Sequence, residues 1–353
     1  MLVLNPGSTS TKLALFDNDQ VLLTENLSHP PDELEGCGSV VNQYSLRKKA
    51  VLEFLAKKNT ALSALAAVVA RGGLTKPLTG GTYKINERML ADLKSAKWGD
   101  HASNLGPILA YELAQEAGGI PAFTVDPVVV DELDDLARIS GLPQLPRRSK
   151  FHALNQKAAA RRAAKALACS YQELNLIVAH MGGGISIGAH KQGRVVDVNN
   201  ALDGDGPMSP ERSGTLPAGD LIRLCYSGRF TFQEMMRMVN GRGGLMAHLG
   251  TTNTKEIQQR VQAGDKKAEL VFKALAYQVA KSICALVAIL GNKPDAIVLT
   301  GGMAHSEMLT GWIKERVGFL APVLVYPGEG EMEALAQGAL RILNQKETPQ
   351  VYT

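Results

Sequence analysis

Aromatic residues make up only 5% of this 353-residue chain, so its core must be mostly aliphatic. Charge of one sign is also lacking: 38 Lys and Arg stand against 34 Asp and Glu, a net charge of +4. The basic residues are scattered rather than striped, which argues against a nucleic-acid partner and suits mild attraction for small anions. Arg47-Lys48-Lys49 and Arg161-Arg162 fall in helix-like segments and are expected to face water. Cysteines are few: Cys37, Cys169, Cys225 and Cys284. None has C-x-x-C spacing, so a metal cage is not indicated, and free thiols in a reducing compartment, the cytoplasm, are expected. No membrane span is expected, because the longest apolar run, Ile283 to Leu290, is too short. Nor is a signal peptide, because the strand-like Leu2-Val3-Leu4 follows Met1 at once. The chain holds no G-x-x-x-x-G-K-[ST], which excludes a P-loop, and no G-x-G-x-x-G after a strand, which argues against a Rossmann dehydrogenase.

Small residues are abundant, with 35 Gly, and they let backbones approach each other or a ligand closely. The length is too great for one ordinary core and suggests two domains. The opening reads as Leu2 to Leu4, a Gly/Ser/Thr turn, a strand at Leu13 to Phe16, a turn at Asp17-Asn18-Asp19, and a strand from Val21 to Asn26. An amphipathic helix over Ser45 to Lys58 follows, then an apolar strand, Ala64 to Ala70, that ends at Arg71-Gly72-Gly73. A helix at Leu105 to Ala117 precedes a strand, Ala122 to Val125, that delivers Asp126. Residues 143–150 read as a connection before an Ala-rich helix, Ala153 to Ala168.

The second half opens like the first. A buried-strand run, Leu174 to Ala179, meets His180-Met181-Gly182-Gly183-Gly184, and a hairpin follows over Ile185 to Val198. Strand, Gly/Ser turn and hairpin thus occur twice, which points to two related halves. A long helix, Lys266 to Leu290, a strand, Ala296 to Leu299, with Thr300-Gly301-Gly302, and a helix from Glu333 to Leu343 complete the chain. The polar tail from Gln345 is expected to be loose.

The turn Asn5-Pro6-Gly7-Ser8-Thr9-Ser10-Thr11-Lys12 offers hydroxyls and bare N–H groups to phosphate oxygens, and His180 to Gly188 repeats the arrangement. A tight hairpin uses the same residues, so one such turn is weak evidence; two, at the starts of similar halves, are stronger. Gly184-Ile185-Ser186-Ile187-Gly188 fits the nucleophile elbow of serine hydrolases, but that elbow needs a helix after the turn, where a hairpin is expected. Asp203-Gly204-Asp205-Gly206 fails as an EF-hand, with Met208 where the loop needs Gly and Gly214 where it needs Glu.

Taken with Ala70-Arg71-Gly72-Gly73, Val125-Asp126-Pro127, Arg148-Ser149-Lys150-Phe151-His152, Pro210-Glu211-Arg212-Ser213-Gly214, Leu299-Thr300-Gly301-Gly302 and Tyr326-Pro327-Gly328-Glu329, these turns resemble the butyrate kinases over essentially the whole chain. That family is related to acetate kinase, within the superfamily of acetate and sugar kinases, Hsp70 and actin. The Asn-Pro-Gly opening, where acetate kinases have Asn-Ala-Gly, favours the butyrate branch. The resemblance implies an α/β fold: two related domains with mixed sheets flanked by helices, ribonuclease H-like and actin-like, with an active-site cleft between domains. Residues 1–147 plus 333–353 are expected on the acyl side and 148–332 on the nucleotide side.

The resemblance also implies roles. Arg71 and Arg212, which alone could be surface ion pairs, would hold the acyl carboxylate and neutralise the transition state. His152, otherwise a plausible helix cap, would donate to the phosphoryl in flight. Asn5, Gly7, Ser8, Thr9, Ser10, Lys12, His180, Gly182, Gly183 and Gly184 would contact the ATP phosphates, and Thr300, Gly301 and Gly302 the adenosine. Asp126 and Glu333 would organise Mg²⁺, with Glu331 a competitor for the second role. His101 matches a substrate-side histidine of acetate kinases, in altered surroundings. The implied reaction is reversible, in-line transfer from ATP to a short-chain acid, giving acyl phosphate and ADP, in a homodimer or larger homo-oligomer. Two readings compete: an acetate- or propionate-preferring kinase of the same family, and a non-enzymatic ATP switch of the actin or Hsp70 kind. A methylene in an apolar pocket discriminates by only about 1–3 kcal/mol, so butanoate, its branched relatives and propionate are expected to differ modestly as substrates.

Overall fold

Two sheets organise the chain, and the computed structural model describes residues 1–353. Strands β1 (Leu2–Pro6), β2 (Ser10–Asp17) and β3 (Gln20–Ser28) open it. Then come β4 (Val68–Arg71), β5 (Thr82–Lys84) and β6 (Ala122–Val125). The second half contributes β7 (Asn175–Met181), β8 (Ile185–Lys191), β9 (Arg194–Val198), β10 (Ala296–Gly301) and β11 (Val323–Pro327). The short β12 (Gln350–Val351) closes the chain.

The chain divides into two compact units, residues 1–130 with 330–353, and residues 131–329. The first sheet runs β12-β5-β6-β4-β1-β2-β3 and the second β11-β10-β7-β8-β9. Five strands of each share one pattern. In the first, β6, β4 and β1 are mutually parallel, and β2 and β3 return antiparallel. In the second, β11, β10 and β7 are parallel, and β8 and β9 return antiparallel. The repeated strand–turn–hairpin is therefore a repeated sheet.

The parallel strands are continuous apolar runs because helices cover both faces. β1, β6, β7 and β10 are buried along most or all of their length. On the helix Lys266–Leu290, Phe272, Ala276, Val279 and Ile283 recur at helical spacing and face the aliphatic core of the second unit. By length and composition alone that helix could cross a membrane, although the run Ile283 to Leu290 is short.

Several expectations change. The first unit ends near Val130 rather than residue 147. Residues 131–147 belong to the second unit, because Asp134 N–H bonds to Val196 (2.9 Å), Arg147 reaches the Val198 carbonyl (3.2 Å), and Glu132 forms a buried ion pair with Lys157 (2.9 Å). The last helix starts at Glu331, two residues earlier than expected. The tail is ordered: β12 pairs with β5, and Tyr352 is buried with its hydroxyl donating to Asp92 at 2.7 Å. Arg47 does not face water but is 0% exposed.

Candidate active site

In the first unit, β1, β4 and β6 run parallel, so their carboxyl ends lie along one edge of the sheet, where open α/β sheets bind ligands. Asn5 follows Leu4, which is level with Ala70 on β4, and Arg71 is level with Val125, the residue before Asp126. Strand register thus brings together Asn5, Arg71 and Asp126. The final helix adds Glu331 at its first turn. One Glu331 oxygen accepts from Asn5 Nδ2 (2.6 Å) and the other pairs with Arg71 (3.0 Å). Glu333 is exposed and outside that contact. Asp126 is buried at a positive φ of 38°, and its carboxylate accepts from Gly81 N–H at 2.7 Å, closing the end of β6. The ring of His101 caps the turn 102–104 through Ser103. Its partial withdrawal from water, and then the charge of Arg71, lower its pKa below the ordinary imidazole value.

The turn joining β1 to β2 is a tight hairpin, with Gly7 N–H bonded to the Ser10 carbonyl (2.8 Å). Ser8, Thr9 and Lys12 are exposed, while Ser10 is half-buried. Arg47 holds the turn from behind. It donates to the carbonyls of Gly7 (2.9 Å), Ser8 (3.2 Å) and Ser10 (2.9 Å) and to Thr11 Oγ1 (2.9 Å). Burial lowers the Arg47 pKa from its ordinary value. With its carbonyls occupied behind, the turn keeps the exposed hydroxyls of Ser8 and Thr9 for a ligand, as an anion site requires.

The second unit repeats the edge. His180, the penultimate residue of β7, is 1% exposed and level with Thr300 on β10. Gly182 N–H bonds to the Gly184 carbonyl (3.0 Å), closing the glycine turn. His152, at the start of the helix Ala153–Ala166, stacks on His180 with ring centroids 4.1 Å apart. Thr300 donates to the Gly328 carbonyl (3.3 Å), and Gly301 and Gly328 exchange two backbone bonds of 3.0 Å. No atom lies within 4 Å of where a Gly302 side chain would begin, which leaves open backbone there.

Arg212 belongs to the irregular segment 199–217 and is held in three ways. Its backbone N–H bonds to Ser209 Oγ (3.1 Å), its carbonyl accepts from Ser209 N–H (3.0 Å), and its guanidinium bonds to the Ala201 carbonyl, while Ser209 Oγ in turn donates to the Gly183 carbonyl (2.5 Å). The guanidinium lies on Gly184, where a Cβ would sit 1.8 Å from Nη1. Only glycine permits that approach. Burial lowers the Arg212 pKa, against the raising influence of Glu211.

Each unit therefore carries a turn of glycine and hydroxyl or N–H donors and a cation at that turn or at the neighbouring strand end, and the second unit adds open backbone at Gly302. This donor set fits the anionic oxygens of a nucleotide. It also fits Mg²⁺, which takes hard oxygen ligands and is bound through one or two carboxylates plus phosphates and water. No cluster of three or more His, Cys, Asp or Glu that could cage a metal exists. A basic triplet hides the role of Arg47; Ser209 and Gln156 fall in no motif, and the pattern around Ser186 points to a hydrolase elbow rather than to His152.

Fold comparison defines the class first. The structure matches an acetate kinase of Porphyromonas gingivalis with a TM-score of 0.80 at 20% identity, covering 97% of this chain and 99% of that one. It matches a propionate kinase of Francisella tularensis with a TM-score of 0.74 at 20% identity, covering 96% and 98%. The fold is the two-domain, actin-like ATPase fold of acetate kinases. A family model described as the acetokinase family matches residues 143–316. Butyrate kinase 2 of Clostridium acetobutylicum is 52% identical over 100% of this chain and 99% of its own length. A probable butyrate kinase of Clostridium botulinum is 51% identical over the same shares. The chain belongs to the butyrate kinases of the acetokinase family.

Proposed function

We propose that this protein phosphorylates a short-chain carboxylic acid, butanoate or a branched relative, at the expense of ATP. The observation that carries the reading is the recurrence, in two sheets of like topology, of a turn of glycine and donor groups with an arginine at that turn or at a neighbouring strand end. The acid's carboxylate is already ionised at neutral pH and needs no general base. The task is instead to bring two anions together, for which the arginine fork is suited. Arg71 and Arg212 are assigned to the carboxylate and to the charge on the phosphoryl in flight. His152 donates to the equatorial phosphoryl oxygens, and His180 orders His152 by stacking and contacts the phosphates. Asn5, Ser8, Thr9, Ser10 and Lys12 on one turn, and Gly183 and Gly184 on the other, offer donors to the phosphates, while Gly7 and Gly182, whose N–H groups close the turns, let the backbone come near them. Thr300, Gly301 and Gly302 receive the adenosine. Asp126 and Glu331 would hold Mg²⁺, which when bound neutralises charge on the phosphates. Glu331 is preferred to Glu333 because it already lies between Asn5 and Arg71.

The names of the relatives support the butanoate-sized acid, and the length of the match does not favour a non-enzymatic switch. The four free cysteines suit a reducing cytoplasm. Assembly as a homodimer or larger is supported by exposed Ile222 on the helix Ala218–Cys225, Tyr226 just past its end and Phe232 at the start of the helix Phe232–Val239. The test is ADP release with ATP and Mg²⁺ across acetate, propionate, butyrate, isobutyrate and isovalerate, with hydroxylamine trapping the acyl phosphate. A maximum at the longer acids supports the reading, and a maximum at acetate reassigns the branch. Acid-independent hydrolysis without trapped product overturns kinase activity.

A further inference from the structure

We propose that Gln156, acting through Ser186, locks the tautomer of His152 so that the proton sits on Nε2. This deepens the reading of His152 as a phosphoryl donor and rests on it. Gln156 falls in no motif, Ser186 lies in the Gly184–Gly188 pattern set aside above, and both are positioning residues.

The arrangement follows from two periodicities. Ser186, Gly188 and His190 alternate on one face of β8, while Ile185, Ile187 and Ala189 enter the aliphatic core on the other. His152 and Gln156 lie four apart at the start of the helix Ala153–Ala166, so both reach the same strand face. Gly188 sits beneath the amide: a Cβ there would be 2.6 Å from Gln156 Oε1.

Hydrogen-bond direction can then be read from one fixed point. The Ser186 carbonyl only accepts, and Gln156 Nε2 is 3.0 Å from it, so the Gln156 amide is oriented with nitrogen toward Ser186. The same Nε2 donates to Ser186 Oγ at 2.7 Å. The backbone N–H of His152 also points at that oxygen, at 3.4 Å. With its lone pairs engaged, Ser186 Oγ uses its own proton for its remaining neighbour, His152 Nδ1, at 2.9 Å. Nδ1 is therefore an acceptor, and in the neutral ring the proton is on Nε2.

The far side of the amide agrees. Gln156 Oε1 accepts from His190 Nε2 at 3.0 Å, and His190 Nδ1 accepts from the Tyr171 hydroxyl at 2.8 Å. This requires a neutral His190. The ring is 0% exposed, and burial, then the charges of Lys157 and Arg161, push its pKa well below the ordinary value. All bonds of the chain Tyr171–His190–Gln156–Ser186–His152 point the same way, toward His152.

The test is the tautomer itself. With histidine ¹⁵N-labelled, two-bond ¹H–¹⁵N correlations at mildly alkaline pH separate Nε2–H from Nδ1–H rings, and His152 is assigned by the signals lost in His152→Gln. The expected result is a single Nε2–H form in the parent protein. Both Ser186→Ala and Gln156→Met should give mixed tautomers and a kcat lowered roughly tenfold, the scale of one neutral hydrogen bond, with KM for both substrates little changed. Ser186→Thr, which keeps the hydroxyl, should restore both. An Nδ1–H ring in the parent, or an unaltered Nε2–H ring in both variants, overturns the proposal. If Ser186→Ala fails to fold, Gln156→Met decides it. The spectra do not depend on turnover, so absent acyl-phosphate formation would sink the kinase reading and leave the tautomer result standing.

Discussion

Glu331 and Glu333 lie two positions apart on one helix, yet their surroundings differ completely. Glu331 joins Asn5 to Arg71, whereas Glu333 faces solvent. Glu331→Gln should lower kcat by roughly 10²-fold, comparable to loss of a transition-state electrostatic contact, with a raised Mg²⁺ requirement. Glu333→Gln should cost much less; equal losses in steady-state kinetics would return the metal role to Glu333. Arg212→Lys should be nearly as damaging as Arg212→Ala, because an ammonium cannot reproduce the fork that spans the Ala201 carbonyl and the face of Gly184.

His190 makes a pH prediction with a definite sign. Its folded pKa is depressed, so the unfolded chain binds a proton that the folded one refuses. The groups facing it are Lys157, Arg161 and Tyr171 and the amide of Gln156. Its contribution is complete above the ordinary imidazole pKa and is lost as pH falls below it, by up to about 1.4 kcal/mol per pH unit. Urea unfolding of the parent against His190→Asn, followed from neutral to mildly acidic pH, should show the two curves converging as pH falls. Parallel curves would mean that His190 is charged in the folded state.

At the scale of elements, the final strand shows how local polarity misleads. Gln345 to Thr353 has the composition of a loose tail, yet β12 extends the sheet beside β5, and Tyr352 is buried in the core of the first unit. Removing residues 350–353 should destabilise that unit by about 2–3 kcal/mol, the burial of one large side chain, and lower its thermal midpoint. An unchanged midpoint would mean that the tail is dispensable. Arg47 makes the complementary case. A basic triplet on an amphipathic helix predicts a solvated face, but the hairpin turn leaves inward carbonyls that a guanidinium satisfies better than water could. Arg47→Met, which keeps the stem but orphans those carbonyls, should weaken nucleotide binding by loosening the turn, measurable as a raised Kd with little change for the acid.

At the scale of the whole molecule, each unit carries its own glycine turn on the same five-strand pattern. Binding of a non-hydrolysable nucleotide with Mg²⁺ should therefore slow amide exchange at two separated stretches, Gly7 to Lys12 and His180 to Gly184, together with Thr300 to Gly302. Protection confined to one stretch would remove the other turn from the phosphate site.

The sequence by itself determined the repeated strand–turn–hairpin, the long core helix and the residue types of the turns. These are local: period-two alternation, helical periodicity and the backbone freedom of glycine act over a few residues. The family was legible for the same reason, because its motifs are short stretches at strand ends. Only the tertiary structure decided that residues 131–147 join the second unit, that Glu331 rather than Glu333 meets Asn5 and Arg71, and that Arg47 is buried. It alone brought Gln156, Ser186 and His190 into one directed chain. Those outcomes depend on which strands neighbour each other and in what register, and partners more than a hundred residues apart are chosen by the sheet that brings them together, not by the segment in which each is written.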